Sequence, residues 1–323
     1  MKKRIIGFTV LIAISVVYVV NASWRVSPAD TQAKLLAHRG VHQTYHRENL
    51  ERDTCTAIRI DTPTHDYIEN TLPSMEAAFA AGADVVELDV HPTTDGYFAV
   101  MHDWTLDCRT EGSGETRSHA LAYLKSLDLG YGYTADSGHT FPLRGKGVGM
   151  MPTLSEVFTA FPDKHFLINF KSRDAREGDM LADFLKQHPE WRANVWGVYG
   201  GDEPTWRAVE LIADDLPGFS RTSVKRCLKY YVALGWSGYI PASCKNTVVV
   251  VPIDIAPWLW GWPNLLVKRM QGVGSEVAIL GPMDDNSDGA PAIDTPKHLA
   301  LIPESFSGYI WTDKIELIGP LLQ

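Results

Sequence analysis

Two carboxylate residues interrupt an apolar stretch and offer the first chemistry in the chain. The stretch covers residues 84–90, follows an Ala-Gly pair and precedes a His-Pro pair. Short runs rich in β-branched residues favour a buried strand. Because side chains alternate between the faces of a strand, Glu87 and Asp89 share one face and Val86 and Leu88 share the other. The pattern predicts two carboxylates side by side on a buried strand.

Such a pair needs a positive partner. Crowding two like charges away from water costs on the order of several kcal/mol. A hard divalent cation held by oxygen ligands would offset the charges of Glu87 and Asp89. A solvated strand end, or an ion pair with arginine or lysine, would also account for the pattern, and Glu-x-Asp alone does not separate these interpretations.

Polar residues also end three other predicted strands. His38 and Arg39 follow the apolar run 34–37, His102 follows the run 97–101, and Asn169 and Lys171 close the run 164–171. In a parallel β/α barrel, the active site lies at the carboxyl ends of the strands. Four polar strand ends in one chain therefore predict an active site.

These residue types suit attack on a phosphate ester. A metal on the carboxylate pair would withdraw charge from the phosphoryl oxygens. Arg39 and Lys171 would offset the remaining negative charge, and His38 and His102 would serve as a base and acid pair. Eight other histidines lack this context and are interpreted as surface or structural residues: His42, His46, His65, His119, His139, His165, His188 and His298.

Strand and helix patterns alternate along the chain and predict a parallel sheet with helical crossovers. The predicted strands are 34–37, 84–90, 97–101, 164–171, 195–199, 218–222, 247–253, 276–280 and 308–312. We predict a TIM barrel, with a doubly wound open sheet as the alternative. A closed barrel needs eight strands, so 247–253 is interpreted as a short extra strand or a loop.

Helix signals fall between these strands. Asn70 or Thr71 caps a predicted helix that continues through 74–81, and Thr153 with Glu156 forms a capping box for another. The segment 107–149 is loop-rich, with one helix expected near 119–127.

Composition limits the choice of function. The chain has 323 residues, a net charge of -9 and 45% hydrophobic residues. This is enough for one large α/β domain or two small ones, and the acidic balance argues against nucleic acid as a partner.

The N-terminus has the pattern of an export segment. Lys2, Lys3 and Arg4 precede an apolar run over 5–20. We interpret 1–24 as a signal peptide or a single membrane anchor, 25–33 as a linker and 34–323 as the barrel. Either interpretation places the barrel outside the cytoplasm, periplasmic or secreted, with membrane association through 5–20 if that segment is retained.

Four cysteines in an exported chain suggest two disulfides. The cysteines are Cys55, Cys108, Cys227 and Cys244, and their spacing fits no zinc pattern. Of the three pairings, we favour Cys55–Cys108 and Cys227–Cys244, the second because its partners are close in sequence.

The ordered motifs resemble one enzyme family. They are His38-Arg39-Gly40, Glu69-Asn70-Thr71, Asp84-x-x-Glu87-x-Asp89, Thr94-Asp95-Gly96, His102-Asp103, Arg109-Thr110-x-Gly112, Pro152-Thr153-Leu154-x-Glu156 and Trp311-Thr312-Asp313. Together they resemble the glycerophosphodiester phosphodiesterases, densely over residues 35–171 and again from residue 308.

This resemblance implies a TIM barrel that hydrolyses glycerophosphodiesters to glycerol phosphate and an alcohol, with calcium or magnesium bound. A substrate hydroxyl beside the phosphate is the implied nucleophile. The implied site residues are His38 and His102 for catalysis, Glu87, Asp89 and Asn169 for the metal, and Arg39, Lys171 and Glu69 for the substrate.

The chain departs from the family pattern in two places. Asn169 stands where the family has a glutamate that binds the metal, so we predict weaker metal binding, or a site completed by water or another carboxylate. The spacer 41–68 is much longer than usual and is predicted to form a lid or wall over the site, rather than a surface insertion. A Cys55–Cys108 disulfide would fix it to the loop after His102.

Three further interpretations stay open. The tryptophan-rich stretch 258–263 is either a membrane-facing loop or core packing, and burial of its tryptophans would exclude the membrane. On the same fold, the substrate could be a lysophospholipid or phospholipid. The barrel could also be a catalytically inactive binding module, which the loss of the glutamate at Asn169 would motivate.

Overall fold

Eight parallel strands form a nearly closed barrel in the computed structural model, which describes residues 2–27, 32–51, 54–213, 215–283 and 291–322. A ninth, short strand lies beside the barrel. The strands are β1 Lys34–His38, β2 Val85–Pro92, β3 Phe98–Val100, β4 His165–Phe170, β5 Val195–Gly200, β6 Gly218–Phe219, β7 Val248–Pro252, β8 Glu276–Leu280 and β9 Tyr309–Thr312.

The strand order around the barrel is β6-β5-β4-β2-β1-β9-β8-β7. In the register, His38 lies beside Glu87, and Asp89 lies beside Asn169. The two edge strands meet through the Thr247 hydroxyl, which donates to the Gly218 carbonyl at 2.8 Å. The predicted TIM barrel is therefore confirmed, and the open sheet is excluded.

The interpretation of 247–253 as an extra strand or loop was wrong. This segment supplies β7, which pairs in parallel with β8 over five residues. The strand outside the barrel is β3, which pairs antiparallel with β2. Its sequence pattern resembles that of a barrel strand because all three of its residues are buried, and pattern alone does not reveal strand direction.

Helices surround the barrel between the strands. Their ranges are α1 Lys2–Val20, α2 Leu72–Ala80, α3 Leu121–Leu124, α4 Leu154–Ala160, α5 Arg176–Gln187, α6 Asp202–Ile212, α7 Arg221–Leu234, α8 Asn264–Gln271, α9 Pro296–Leu299 and α10 Ile315–Ile318. Thr71, rather than Asn70, caps α2, and Thr153 with Glu156 forms the capping box of α4. The helix expected near 119–127 is only the single turn α3.

Strand alternation divides the core into two layers. Leu35, Ala37 and Val86 face the helices in the larger cluster of buried residues. Leu36, Val85 and others fill the barrel interior. Since Glu87 and Asp89 continue the interior row of β2, the apolar interior ends in carboxylates at the carboxyl end of the strand.

The insertion 41–68 packs against the loop-rich segment 104–151. Ala57, Ile60 and Ile68 are buried in a separate cluster with residues of that segment, including Leu106 and Tyr133. A disulfide between Cys55 and Cys108 joins the two segments. The insertion is thus packed against the loop after His102 rather than extended into solvent.

The N-terminal run 5–20 lies within α1, and residues 28–31 of the predicted linker lie outside the described residues. Within the described part of the chain, no helix has the length and apolar character needed to cross a bilayer. The helix is followed by a short turn, Ser23–Arg25.

A second disulfide joins Cys227 on α7 to Cys244, 17 residues later. Both cysteines are buried, so this cross-link ties α7 to the segment that leads into β7. Both disulfides are the pairs favoured from the sequence.

Replacing Cys227 and Cys244 together by alanine should lower the free energy of unfolding by about 3 kcal/mol, because a loop of this length gains that much freedom in the unfolded chain. Urea unfolding followed by circular dichroism measures the change. The Cys55→Ala, Cys108→Ala variant is the matched control for loss of one cross-link. An unchanged urea midpoint in the Cys227/Cys244 variant would contradict the expectation.

Candidate active site

Glu87 is fully buried in the barrel interior and is only half satisfied by hydrogen bonds. Its Oε1 accepts the Tyr199 hydroxyl at 2.7 Å. Its Oε2 has no hydrogen-bond partner among the described residues and lies 3.7 Å from His38 Nε2. Burial and the neighbouring Asp89 raise the pKa of Glu87 to about 7. The bare oxygen therefore faces a position where a cation would be stabilised.

Asp89, also fully buried, is by contrast surrounded by donors. Amides of Asn70 and Asn169 donate to its two oxygens at 2.9 and 2.8 Å. Arg39 and Lys171 lie 3.3 Å from the same carboxylate. Burial would raise the pKa of Asp89, but Lys171 and Arg39 hold it well below its usual range. Asp89 is therefore an anion held in place by fixed positive charge.

Asn169 supports Asp89 through its amide nitrogen, not through its carbonyl oxygen. The oxygen faces the backbone of Gly200, where a side chain would clash with it. Gly200 has φ +109°, a conformation that suits glycine. In this orientation Asn169 positions Asp89, the predicted metal ligand beside it. The Asn169 carbonyl oxygen, which was predicted as a ligand itself, is directed at Gly200 instead.

His38 ends β1 and is held in position by Asp313, which directly follows β9. Its Nδ1 lies 2.6 Å from Asp313 Oδ1, and the second oxygen of Asp313 lies 3.4 Å from Arg47 of the insertion. Burial and Arg39 lower the pKa of His38, but Glu87 and Asp313 outweigh them and raise it above its ordinary value. The free Nε2 is thereby directed towards Glu87.

His102 reaches the site because β3 runs antiparallel to β2. The chain passes the end of β2, turns and returns, so that the backbone nitrogen of Met101 donates to the Asp89 carbonyl at 3.0 Å. His102 Nδ1 lies 2.6 Å from Asp103 Oδ1. Burial, Arg39 and Lys171 lower the pKa of His102 to about 4. The two predicted catalytic histidines thus have opposite pKa shifts.

Glu69 joins the arginines of the site. It lies 3.3 Å from Arg39 and 3.1 Å from Arg109. Arg109 also pairs with Asp103 at 2.8 Å and donates to Thr56 of the insertion at 2.7 Å. Burial would raise the pKa of Glu69, but Arg109 and Arg39 keep it low. The predicted substrate residue Glu69 therefore aligns two arginines and, through Asp103, the ring of His102.

Three residues of the site were not identified from the sequence: His42, Asp313 and Tyr199, whose hydroxyl donates to Glu87. His42, interpreted as surface or structural, is buried and places a ring nitrogen within 4.8 Å of ligand atoms of His38 and Asp313. Asp313 was noted only as part of a motif. The close spacing of His42 to His38 was the available signal, but only the path of the insertion shows that the two rings meet edge to face, with their centroids 6.2 Å apart.

The carboxylate pair fits a hard divalent cation. Glu87 offers a buried oxygen without a partner, and carboxylate oxygens are the ligands that calcium and magnesium prefer. The His38, His42 and Asp313 group would instead suit a metal that takes nitrogen ligands. In this group, however, two of the potential ligand atoms, His38 Nδ1 and Asp313 Oδ1, are already joined by a short hydrogen bond.

Comparison with known sequences matches just under half of the chain, the part that carries most of the site. Residues 38–192 match the model of the glycerophosphoryl diester phosphodiesterase family. A glycerophosphodiester phosphodiesterase from Caldanaerobacter subterraneus subsp. tengcongensis is 40% identical over 103 residues, which is 32% of this chain and 39% of that protein. The chain spans about two fifths of the length of the curated relatives it matches.

Solved structures share the fold over nearly the whole chain. The glycerophosphoryl diester phosphodiesterase domain of a Mycobacterium tuberculosis protein superposes with a TM-score of 0.62 at 16% identity, covering 90% of this chain and 100% of that domain. An Oleispira antarctica phosphodiesterase in complex with sn-glycerol-3-phosphate gives 0.52 at 16% identity, covering 88% and 94%. Residues 38–192 therefore resemble the glycerophosphoryl diester phosphodiesterase family, and the whole barrel shares the fold of these solved structures.

Proposed function

We propose that this protein hydrolyses glycerophosphodiesters to glycerol phosphate and an alcohol with the help of one divalent cation. One observation carries the proposal: two histidines with opposite pKa shifts lie on either side of a buried carboxylate pair, of which one oxygen lacks a partner. Two titratable groups whose environments separate their pKa values are what an acid and base pair requires.

Each residue has a role in that reaction. Arg39 and Lys171 bind the phosphate oxygens and offset their charge. One histidine takes the proton of the substrate hydroxyl that attacks phosphorus, and the other gives a proton to the departing alcohol oxygen as its bond to phosphorus breaks, which leaves a cyclic phosphodiester. Water then attacks phosphorus with the two proton transfers reversed, and one ring P–O bond breaks to give glycerol phosphate. Asp313 and Asp103 hold the two rings in orientation through their Nδ1 atoms.

Glu87 and Asp89 would hold the divalent cation, calcium or magnesium. When bound, it would withdraw charge from the phosphoryl oxygens. Asn169 supplies no third carboxylate, so we expect weaker metal binding than in relatives that have a glutamate there. Water or another carboxylate would complete the ligand shell.

We further propose that the barrel lies outside the cytoplasm. Two disulfides support this, because they persist in oxidising compartments. The basic residues at the start of α1 support an export segment with the same orientation. Because α1 exposes apolar residues, lysophospholipid is the alternative substrate. Lysophospholipid should therefore be tested beside glycerophosphocholine in the same hydrolysis assay.

Replacing His38 or His102 by alanine should lower kcat by roughly 10²- to 10⁴-fold, because each change removes one proton-transfer group. Release of glycerol phosphate from glycerophosphocholine is the measurement. His188→Ala, outside the site, is the matched control. Unchanged turnover in both histidine variants would exclude the proposed mechanism, and no turnover in the parent protein with any metal would favour a binding barrel.

Calcium or magnesium should raise the melting temperature of the chelator-treated protein, because the cation gives the bare oxygen of Glu87 a partner. Glu87→Gln should remove this metal-dependent rise. Glu276→Gln should retain the rise, because Glu276 begins β8 and the site lies at the carboxyl ends of the strands. Equal metal-dependent shifts in both variants would place the cation elsewhere, with the His38, His42 and Asp313 group as the next candidate.

Asn169→Glu should tighten calcium binding by about tenfold, because it adds a charged oxygen ligand beside Asp89. Isothermal titration calorimetry measures the change, and Asn169→Gln is the neutral control of the same length. Weaker binding in the glutamate variant would mean that the amide bond to Asp89 matters more than the added charge.

A further inference from the structure

The outer surface of α7 differs in charge from the rest of the molecule. Between Asp215 and Asp254 the chain has five basic residues and no acidic residue, whereas its overall net charge is -9. Lys225, Arg226 and Lys229 are exposed. Within the described residues, no carboxylate forms an ion pair with any of these three. They therefore present an uncompensated positive charge on an acidic protein.

Large apolar side chains continue this basic surface. Val232 and Leu234 end α7, and Trp236 and Tyr239 follow it, each exposed by 42–56%. On the opposite side of the same helix, Cys227 and Tyr231 face the core. We call the exposed basic and apolar residues over 225–239 the α7 face. Its basic start and apolar, aromatic end are typical of surfaces that lie at the boundary of a lipid head group layer.

The root of α1 is fixed next to this face. Asn21, directly after α1, donates to the Trp236 carbonyl at 2.7 Å and accepts from Arg269 at 2.9 Å. In α1 itself, Phe8, Leu11 and others project into solvent on every side of the helix, with exposed fractions of 43–68%. An apolar helix and an aromatic surface therefore meet at one place.

A single binding partner would contact both the α7 face and α1. We propose that the α7 face, together with α1, docks on an anionic lipid surface. The apolar side chains of α1 and the aromatic end of the α7 face would enter the boundary between head groups and acyl chains. Lys225, Arg226 and Lys229 would contact the phosphates of the head groups. Trp258, 77% exposed, belongs to the tryptophan-rich stretch and adds another amphipathic ring, while Trp260 and Trp262 are half-buried.

The charge pattern selects this partner over a neutral bilayer. Apolar area alone would bind neutral and anionic lipid alike, whereas a basic surface adds attraction only to anionic lipid and loses it in salt. The proposal is independent of the proposed hydrolysis, because docking involves none of the site residues.

The test is cosedimentation of the full chain with vesicles. One set contains equal parts of phosphatidylglycerol and phosphatidylcholine, and the other contains phosphatidylcholine only. The Lys225→Glu, Arg226→Glu, Lys229→Glu variant should lose at least about tenfold in partitioning to the anionic vesicles. The Lys164→Glu, Lys186→Glu, Lys297→Glu variant has the same net charge on other exposed positions and should bind like the parent. Circular dichroism checks that each variant is folded.

Trp236→Ser with Tyr239→Ser tests the apolar part. This variant should also bind anionic vesicles more weakly, while its activity on a soluble diester stays at the parent level. Equal binding of the parent to both vesicle types, or full binding by the Lys225/Arg226/Lys229 variant, would overturn the proposal and leave α1 as the sole attachment. Absence of vesicle binding would overturn it too.

Discussion

The burial of two carboxylates on one face of β2 is the constraint on which the site depends. Asp89 is stabilised entirely by the protein, through two cations and two amides, and the fold must bring these donors from three other segments. Glu87 is not stabilised in this way and keeps one oxygen bare. The barrel can carry this cost because its large apolar core supplies the stability that the charged end lacks. The proposed cation site rests on this difference between the two carboxylates.

Two histidine–aspartate pairs extend from this centre in opposite directions, and the insertion reaches both. Arg47 of the insertion lies against Asp313, which orients His38. Thr56 of the insertion accepts from Arg109, which in turn holds the partner of His102. A segment that looks like an addition to the family pattern thus shares the hydrogen-bond networks of both histidines. The disulfide from Cys55 keeps that segment packed against the loop after β3.

The outer surface around α7 carries a different kind of charge from the candidate active site. Around α7 the chain is basic and aromatic, and it is tied together by the second disulfide and by the contacts of Asn21. These contacts fix α1 to the barrel without using any residue of the site. The candidate active site, dominated by buried charge, and this outer face, dominated by exposed charge and apolar area, therefore share no residue.

The sequence by itself determined the barrel, the positions of most strands and helix caps, and the set His38, Arg39, Glu87, Asp89 and His102, because strand alternation and strand-end polarity are local properties. It did not determine which of nine strands stands outside the barrel, since pairing direction depends on partners distant in sequence. Tertiary structure alone decided that Asp313 and His42 meet His38, and that Asn169 turns its amide towards Asp89. Those contacts join residues that are distant in sequence, and they depend on which donors the fold places around each buried charge. No single segment of the sequence contains that information.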